Sequence, residues 1–278
     1  MPAHVATRHP DPDPAALLAA YDDRLRAHVS ARLPAGVLVD RDGPLVRYSG
    51  FSWGGMVVYR DLGGLVGDAL DELIARQVHH FAERGERFEW KLHGHDRPAD
   101  LSDRLAAAGF RVGAPETVVI GQVARMAGTP VLPQGVALRQ VTSRVDLEQI
   151  DVVEGAVWGE DGSGYGTMLE AELEADPDGL VVVVAEAAET VVCAAWVRFE
   201  TGTGFATLWG GATLPAWRGQ GIYRATVAHR ARVAAERGFE YLEVDASDDS
   251  RPILERLGFV AVTTTTPHSW RPPADPAE

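Results

Sequence analysis

The chain has 278 residues, 46% of them hydrophobic, enough for one large core or two ordinary ones, and two domains of near-equal size are the natural expectation. Its 26 Lys and Arg stand against 40 Asp and Glu, a formal net charge of −14, which argues against nucleic acid and anionic membrane as partners because both are bound through basic patches. A single cysteine, Cys193, excludes an internal disulfide framework and any multi-cysteine zinc site.

The opening MPAHVATRHPDPDP has no apolar stretch of the signal-peptide kind, so a cytoplasmic location is expected. Periodicity then predicts a helix over 14–31, strands at 37–40, 44–49 and 55–60, a helix at 68–84, a strand at 88–93 and a helix at 99–108. Two prolines and two glycines in ARMAGTPVLPQG, between two β-branched runs, mark a linker at 124–135. Beyond it come a strand at 136–142, helices at 146–158 and 166–175, and strands at 180–186, 190–199 and 204–213. A helix at 221–237, a strand at 240–245, a helix at 250–257 and terminal strands after Phe259 follow. The longest apolar stretch, Val181 to Val197, is broken by Glu186, Glu189 and Thr190 and reads as a strand hairpin, not a membrane span.

The halves echo one another. Trp53-Gly54-Gly55 returns as Trp209-Gly210-Gly211, Ala82-Glu83-Arg84-Gly85 as Ala235-Glu236-Arg237-Gly238, and Gly109-Phe110 as Gly258-Phe259, in the same order. The prediction is a duplicated mixed α/β fold, each copy a partly antiparallel sheet with helices on both faces.

Gly210 and Gly211 interrupt a strong strand, which marks a bulge or the close approach of another backbone. After them, Arg218-Gly219-Gln220-Gly221-Ile222-Tyr223-Arg224 opens a helix that has no acidic residue before Glu236. A glycine-bearing loop at a helix start offers free N–H groups and a positive dipole end to a pyrophosphate, and the two arginines add charge-assisted bonds. The plain alternative is a tight strand-to-helix connection. A dinucleotide fingerprint would need glycine at Arg224, and no Gly-Lys-Ser/Thr follows as a Walker loop requires.

With Arg218 and Gly221 meeting an Arg/Gln-x-x-Gly-x-Gly/Ala pattern, and the later run from Ser250 to Gly258-Phe259, the chain resembles the GNAT superfamily of acyl-CoA N-acyltransferases over about 135–278. Tyr223 departs from the pattern at its last position. The resemblance implies an acetyl-CoA-binding domain at 135–278, a degenerate copy at 1–130 and no metal. It further implies that the pantetheine arm pairs with main-chain groups near Gly211, Thr213 and Leu214. Arg218, Gly219, Gln220, Gly221, Ile222, Tyr223 and Arg224 would surround the pyrophosphate. Ser250 would approach the same molecule, or simply cap its helix.

Two familiar catalytic positions are empty: Leu254 stands where the family often has an acidic tyrosine, and Thr207 where it sometimes has a glutamate. Between Asp146 and Asp178 lie 11 Asp and Glu and no Lys, Arg or His, in the segment that borders the acceptor in the superfamily. Most of these read as solvated helix faces. Glu154 falls inside the apolar stripe of Leu147, Ile150, Val157 and Trp158, where a carboxyl has a raised pKa or a structural partner. Asp245, at the end of its strand, and Tyr165, in the loop GSGYG, are further catalytic candidates.

His93-Gly94-His95-Asp96 has ligand-like spacing without evident further ligands, and Cys193 in VVCAAWV reads as a buried small hydrophobe. In the first half Arg60-Asp61-Leu62-Gly63 echoes the phosphate loop, but Asp61, Asp68, Asp71 and Glu72 would repel an anion there. The expected activity is acetyl transfer to a primary amine of a small, cationic acceptor. The alternative is an acyl-CoA sensor without chemistry.

Overall fold

In the computed structural model, which describes residues 12–159 and 164–273, the first half begins with helix α1 (Pro14–Arg24), capped by Asp13, whose carboxylate accepts from Ala15 N–H at 3.0 Å. The predicted helix over 14–31 is thus cut short. The physical reason is Arg26, only 7% exposed, which turns away to an ion pair with Asp96 at 2.7 Å. Three strands follow, β1 (Leu38–Asp42), β2 (Leu45–Phe51) and β3 (Gly54–Val58), then α2 (Gly67–Glu83), β4 (Phe88–His93), α3 (Leu101–Ala107), the short β5 (Arg111–Val112), β6 (Glu116–Gln122) and α4 (Val123–Met126). Leu70, Leu73, Ile74 and Phe81 recur at helical spacing on α2 and bury that face against Val57, Phe88 and Trp90.

After the linker run β7 (Val136–Val141), α5 (Arg144–Trp158), α6 (Tyr165–Ala175), β8 (Leu180–Ala187), β9 (Thr190–Glu200), β10 (Phe205–Thr213), a 3₁₀ turn at Pro215–Trp217, α7 (Ile222–Glu236), β11 (Tyr241–Ala246), α8 (Arg251–Leu257) and β12 (Val260–Trp270). Alternation sorts β9 onto two faces: Val197 and Phe199 pack with α7 residues Val227 and Ala231, while Ala194 and Trp196 pack with α5 residues Leu147, Ile150 and Val153. Trp158, expected in the α5 stripe, is instead 57% exposed.

All strands join one sheet in the order β1-β2-β3-β4-β12-β6-β11-β10-β9-β8-β7, with β5 attached to β12. Two separate sheets were expected; the halves instead exchange strands. β6, which precedes the linker, pairs with β11 and β12, and β12 pairs with β4, so that Trp270 completes the aromatic core of the first half. Each half would otherwise leave a hydrophobic edge strand with unpaired backbone groups, and the exchange covers both. α1 also crosses over: Leu17 and Tyr21 bury against Val118, Ile120 and Phe205.

The parallel pairing of Gly55–Val57 with Phe88–Trp90 is repeated by Phe205–Thr207 with Tyr241–Glu243. The duplication is therefore visible in the fold, and two of the sequence echoes fall at matching helix ends. The third does not. Gly55 matches Phe205, so Gly54-Gly55 starts a strand whereas Gly210-Gly211 lies late in one.

Candidate active site

β10 and β11 run side by side only from Phe205 to Thr207, although β10 continues to Thr213 and β11 to Ala246. Beyond Thr207 the strands part, and a cleft of about 1860 Å³ opens between them and extends along the first half. On its other edge β10 stays paired with β9, through a bulge between Gly210 and Ala212. Gly210 and Gly211 have φ of +67° and +90°, and a Cβ there would lie 2.5 Å from the ring of Trp196 or of Tyr223 respectively. The close approach inferred from these glycines is thus made first by the protein's own rings. Arg230, 1% exposed, braces the bulge by donating to the carbonyls of Trp196 and Trp209, each at 2.9 Å, and to Thr226 O at 3.2 Å.

At the mouth of the opening stands the N-terminus of α7. Gly221 caps it in the left-handed conformation with no side-chain cap, so the first N–H groups of Ile222, Tyr223 and Arg224 lack helical partners. A Cβ at Gly219 or Gly221 would meet nothing within 4 Å, so both residues face open space. Arg218 and Arg224 are exposed, with no carboxylate within ion-pair distance among the described residues. Uncapped N–H groups, open glycines and free guanidinium groups together fit a pyrophosphate. All predicted acetyl-CoA contacts line the cleft except Leu214 and Gln220. Leu214 N–H is committed to Val192 O at 2.9 Å, and the Thr213 carbonyl accepts Arg218 Nε at 3.0 Å, so the free edge of β10 begins before them. Gln220 donates to Ala216 O at 3.2 Å. Ser250 makes no side-chain cap; its hydroxyl lies 3.2 Å from that of Ser247.

The catalytic candidates part company. Glu154 lines the cleft at 2% exposure with Oε1 lacking any hydrogen-bond partner, and burial pushes its pKa up to about 7, offset in part by a bond from the Trp158 indole. Tyr165, first residue of α6, lines the same wall, its ring 5.4 Å from that of Trp196. Asp245 is bound to Lys91 Nζ at 2.6 Å and to Thr265 Oγ1 at 3.3 Å. Despite its burial, the ammonium beside it holds its carboxyl low, which suits an ion-pair partner and not a base. Thr207 accepts from Trp209 Nε1 at 2.8 Å, and Leu254 is fully buried.

The acid-rich segment is largely neutralised from outside. Asp146 pairs with Arg139, Glu148 and Glu170 with Arg144, Glu172 with Arg198 and Asp176 with Arg32. Carboxylates that sequence reasoning passed over lie deeper: Glu243 on β11, Glu116 on β6 and Glu89 on β4 all line the cleft. A signal was present, since Glu243 and Asp245 share one face of a strand whose other face, Leu242 and Val244, is core.

The His93-to-Asp96 segment ties α1 and the residues after it to the sheet of the first half. Asp96 accepts from Arg26, from Tyr59 at 2.6 Å and from His93 N–H at 2.8 Å, while His95 pairs with Asp22 and His93 with the Tyr21 hydroxyl. Cys193 is buried, and burial pushes its thiol up to about 11. In the degenerate loop Asp61 accepts the N–H of Gly63 at 2.8 Å and Arg60 pairs with Asp23 at 2.7 Å, so groups that would meet a phosphate are spent internally. No described helix is long and apolar enough to cross a membrane.

A parallel strand pair thus splays beside an uncapped, glycine-led helix start. Residues 147–259 match the acetyltransferase (GNAT) family. No curated protein matches the sequence significantly. Among solved structures, the chain is similar to a GCN5-related N-acetyltransferase from Kribbella flavida, at 17% identity and TM-score 0.63 over 94% of this chain and 95% of that one. A tandem GNAT protein from the clavulanic acid biosynthesis pathway is similar at 14% identity and TM-score 0.60, over 94% and 97%. One from Sphaerobacter thermophilus shares 15% identity with TM-score 0.58 over 85% and 84%. These likenesses establish a tandem GNAT fold.

Proposed function

We propose that the protein transfers an acetyl group from acetyl-CoA to a primary amine of a small cationic acceptor, in the cytoplasm, through its C-terminal unit at 135–278. The unit at 1–130 keeps the fold without the donor site. The observation that carries this reading is the open wedge between β10 and β11, with the bare N-terminus of α7 at one end and, in its wall, the buried Glu154, whose Oε1 has no hydrogen-bond partner.

Uncapped N–H groups after Gly221, with Arg218 and Arg224, hold the pyrophosphate, and the free edge of β10 takes the pantetheine arm as an added strand. Glu154, poised near neutrality, accepts a proton from the acceptor ammonium directly or through one water. The freed amine attacks the thioester carbon, the nitrogen gives up its second proton to solvent, the C–S bond breaks, and CoA leaves as a thiolate that takes a proton from solvent. Main-chain N–H groups near Gly211 face the carbonyl oxygen as charge develops on it.

The test is an amine panel followed by release of CoA thiol. Amine-dependent thiol release supports the reading. Binding of acetyl-CoA without turnover on any amine would favour the sensor, and no binding at all would make both halves scaffold.

A further inference from the structure

Where β10 and β11 part, the cleft has an acidic floor that the protein's own cations do not answer. Glu243 stands across from Thr207, at the last residue pair before the strands diverge. It is 5% exposed and lines the cleft, and its carboxyl group has no hydrogen bond or ion pair with any described residue. Glu116 and Glu89 line the same cleft, also without an ion pair among the described residues. The single lysine of the chain, Lys91, is spent on Asp245.

The remaining cations nearby are committed too. Arg26 is held by Asp96 and Asp22, and both ends of the Arg198 guanidinium are taken by Glu172, at 2.7 and 2.8 Å. Four carboxyl groups, from Glu89, Glu116, Glu243 and Asp245, therefore surround one ammonium. Burial accordingly pushes Glu116 up to about 7 and raises Glu243 as well. An unpaired buried carboxylate is costly and is found where something from outside completes it. An incoming cation completes it and draws the carboxyl back to its charged form. The groups come from β4, β6 and β11, so both halves build this floor, in a part of the cleft opposite in role to the phosphate loop.

We propose that Glu243, with Glu116 further along the same acidic floor, binds a second ammonium group of the acceptor, which makes the acceptor a diamine or polyamine held at one end and acetylated at the other. This rests on the acetyl-transfer reading above, since a monoamine needs only the group that reacts at Glu154.

The test compares 1,4-diaminobutane with n-butylamine, and the next longer pair, in wild type, Glu243→Gln and Glu116→Gln. Thiol release gives kcat and KM, and calorimetry without acetyl-CoA gives binding of each amine. The expected result is a wild-type preference for the diamine of about tenfold or more, expressed in KM. Either variant should erase most of it while leaving n-butylamine kinetics essentially unchanged and the melting temperature no lower than that of wild type. Equal treatment of both amines by wild type, or equal loss on both amines in the variants, would overturn the proposal. Diamine binding that weakens in Glu243→Gln without turnover on any amine would uphold the anchor and refute acetyl transfer. Turnover on monoamines with no diamine advantage would do the reverse.

Discussion

Glu154→Gln separates catalysis from architecture, because the two roles give opposite signs in stability. The substitution keeps shape and hydrogen-bonding atoms and removes proton acceptance. Burial moves this carboxyl from an ordinary 4.5 to about 7, and at about 1.4 kcal/mol per pKa unit the displacement corresponds to at most about 3.5 kcal/mol, less where solvent screens the cleft mouth. The folded-state pKa is raised, so the folded form holds its proton more tightly than the unfolded chain. Nothing is lost below about pH 4.5, and the folded state is progressively penalised as pH rises through 7. The glutamine variant should therefore melt like wild type at pH 4.5 and above it at pH 8. Its turnover number should fall by about 10²–10⁴-fold with acetyl-CoA affinity nearly unchanged. Wild-type activity should rise with pH through about 7 as the base ionises. The assay is thiol release across pH, with melting curves in the same buffers. A variant that melts lower at pH 8, or keeps turnover within about tenfold of wild type, would refute Glu154 as the base.

Replacing Gly221 by valine should abolish the acetyl-CoA-induced rise in melting temperature, whereas the same change at Gly63 should preserve it. Both positions have positive φ and open space for a Cβ, so backbone strain of about 1–2 kcal/mol is common to the pair and only the ligand response distinguishes them. Arg230→Met should lower stability by several kcal/mol, at about 1–3 kcal/mol for each orphaned carbonyl at the bulge. A loss below about 1 kcal/mol in denaturant titration would mean that the bulge does not depend on the guanidinium. Raising ionic strength should raise the acceptor KM with little effect on the turnover number, because part of the attraction to the acidic cleft is long-ranged. A KM indifferent to salt would remove steering from the mechanism.

Local pattern determined much of this protein. The stripe on α5 placed Glu154 on a buried face, and the run from Arg218 to Arg224 placed an uncapped, glycine-led helix start, because helix phase and glycine-led caps are set by residues within a few positions of one another. The β-branched runs marked the strands for the same reason. What the tertiary structure alone decided is partnership across distance. The exchange of β6 and β12 follows from which strand edges needed covering, and that is a property of the assembled sheet. Asp245 has the sequence context of a strand-end acid, yet becomes the partner of Lys91, 154 positions away. Glu243, in a plain strand of alternating residues, became the acid at the apex of the cleft once β10 turned away from it at Thr207. The acids of α5 and α6 form a cation-free run in the sequence, yet in the fold arginines from outside the segment meet them. Burial and pairing fix a carboxyl's charge, and both are set by neighbours that the fold brings together after the sequence has fixed only the local chain.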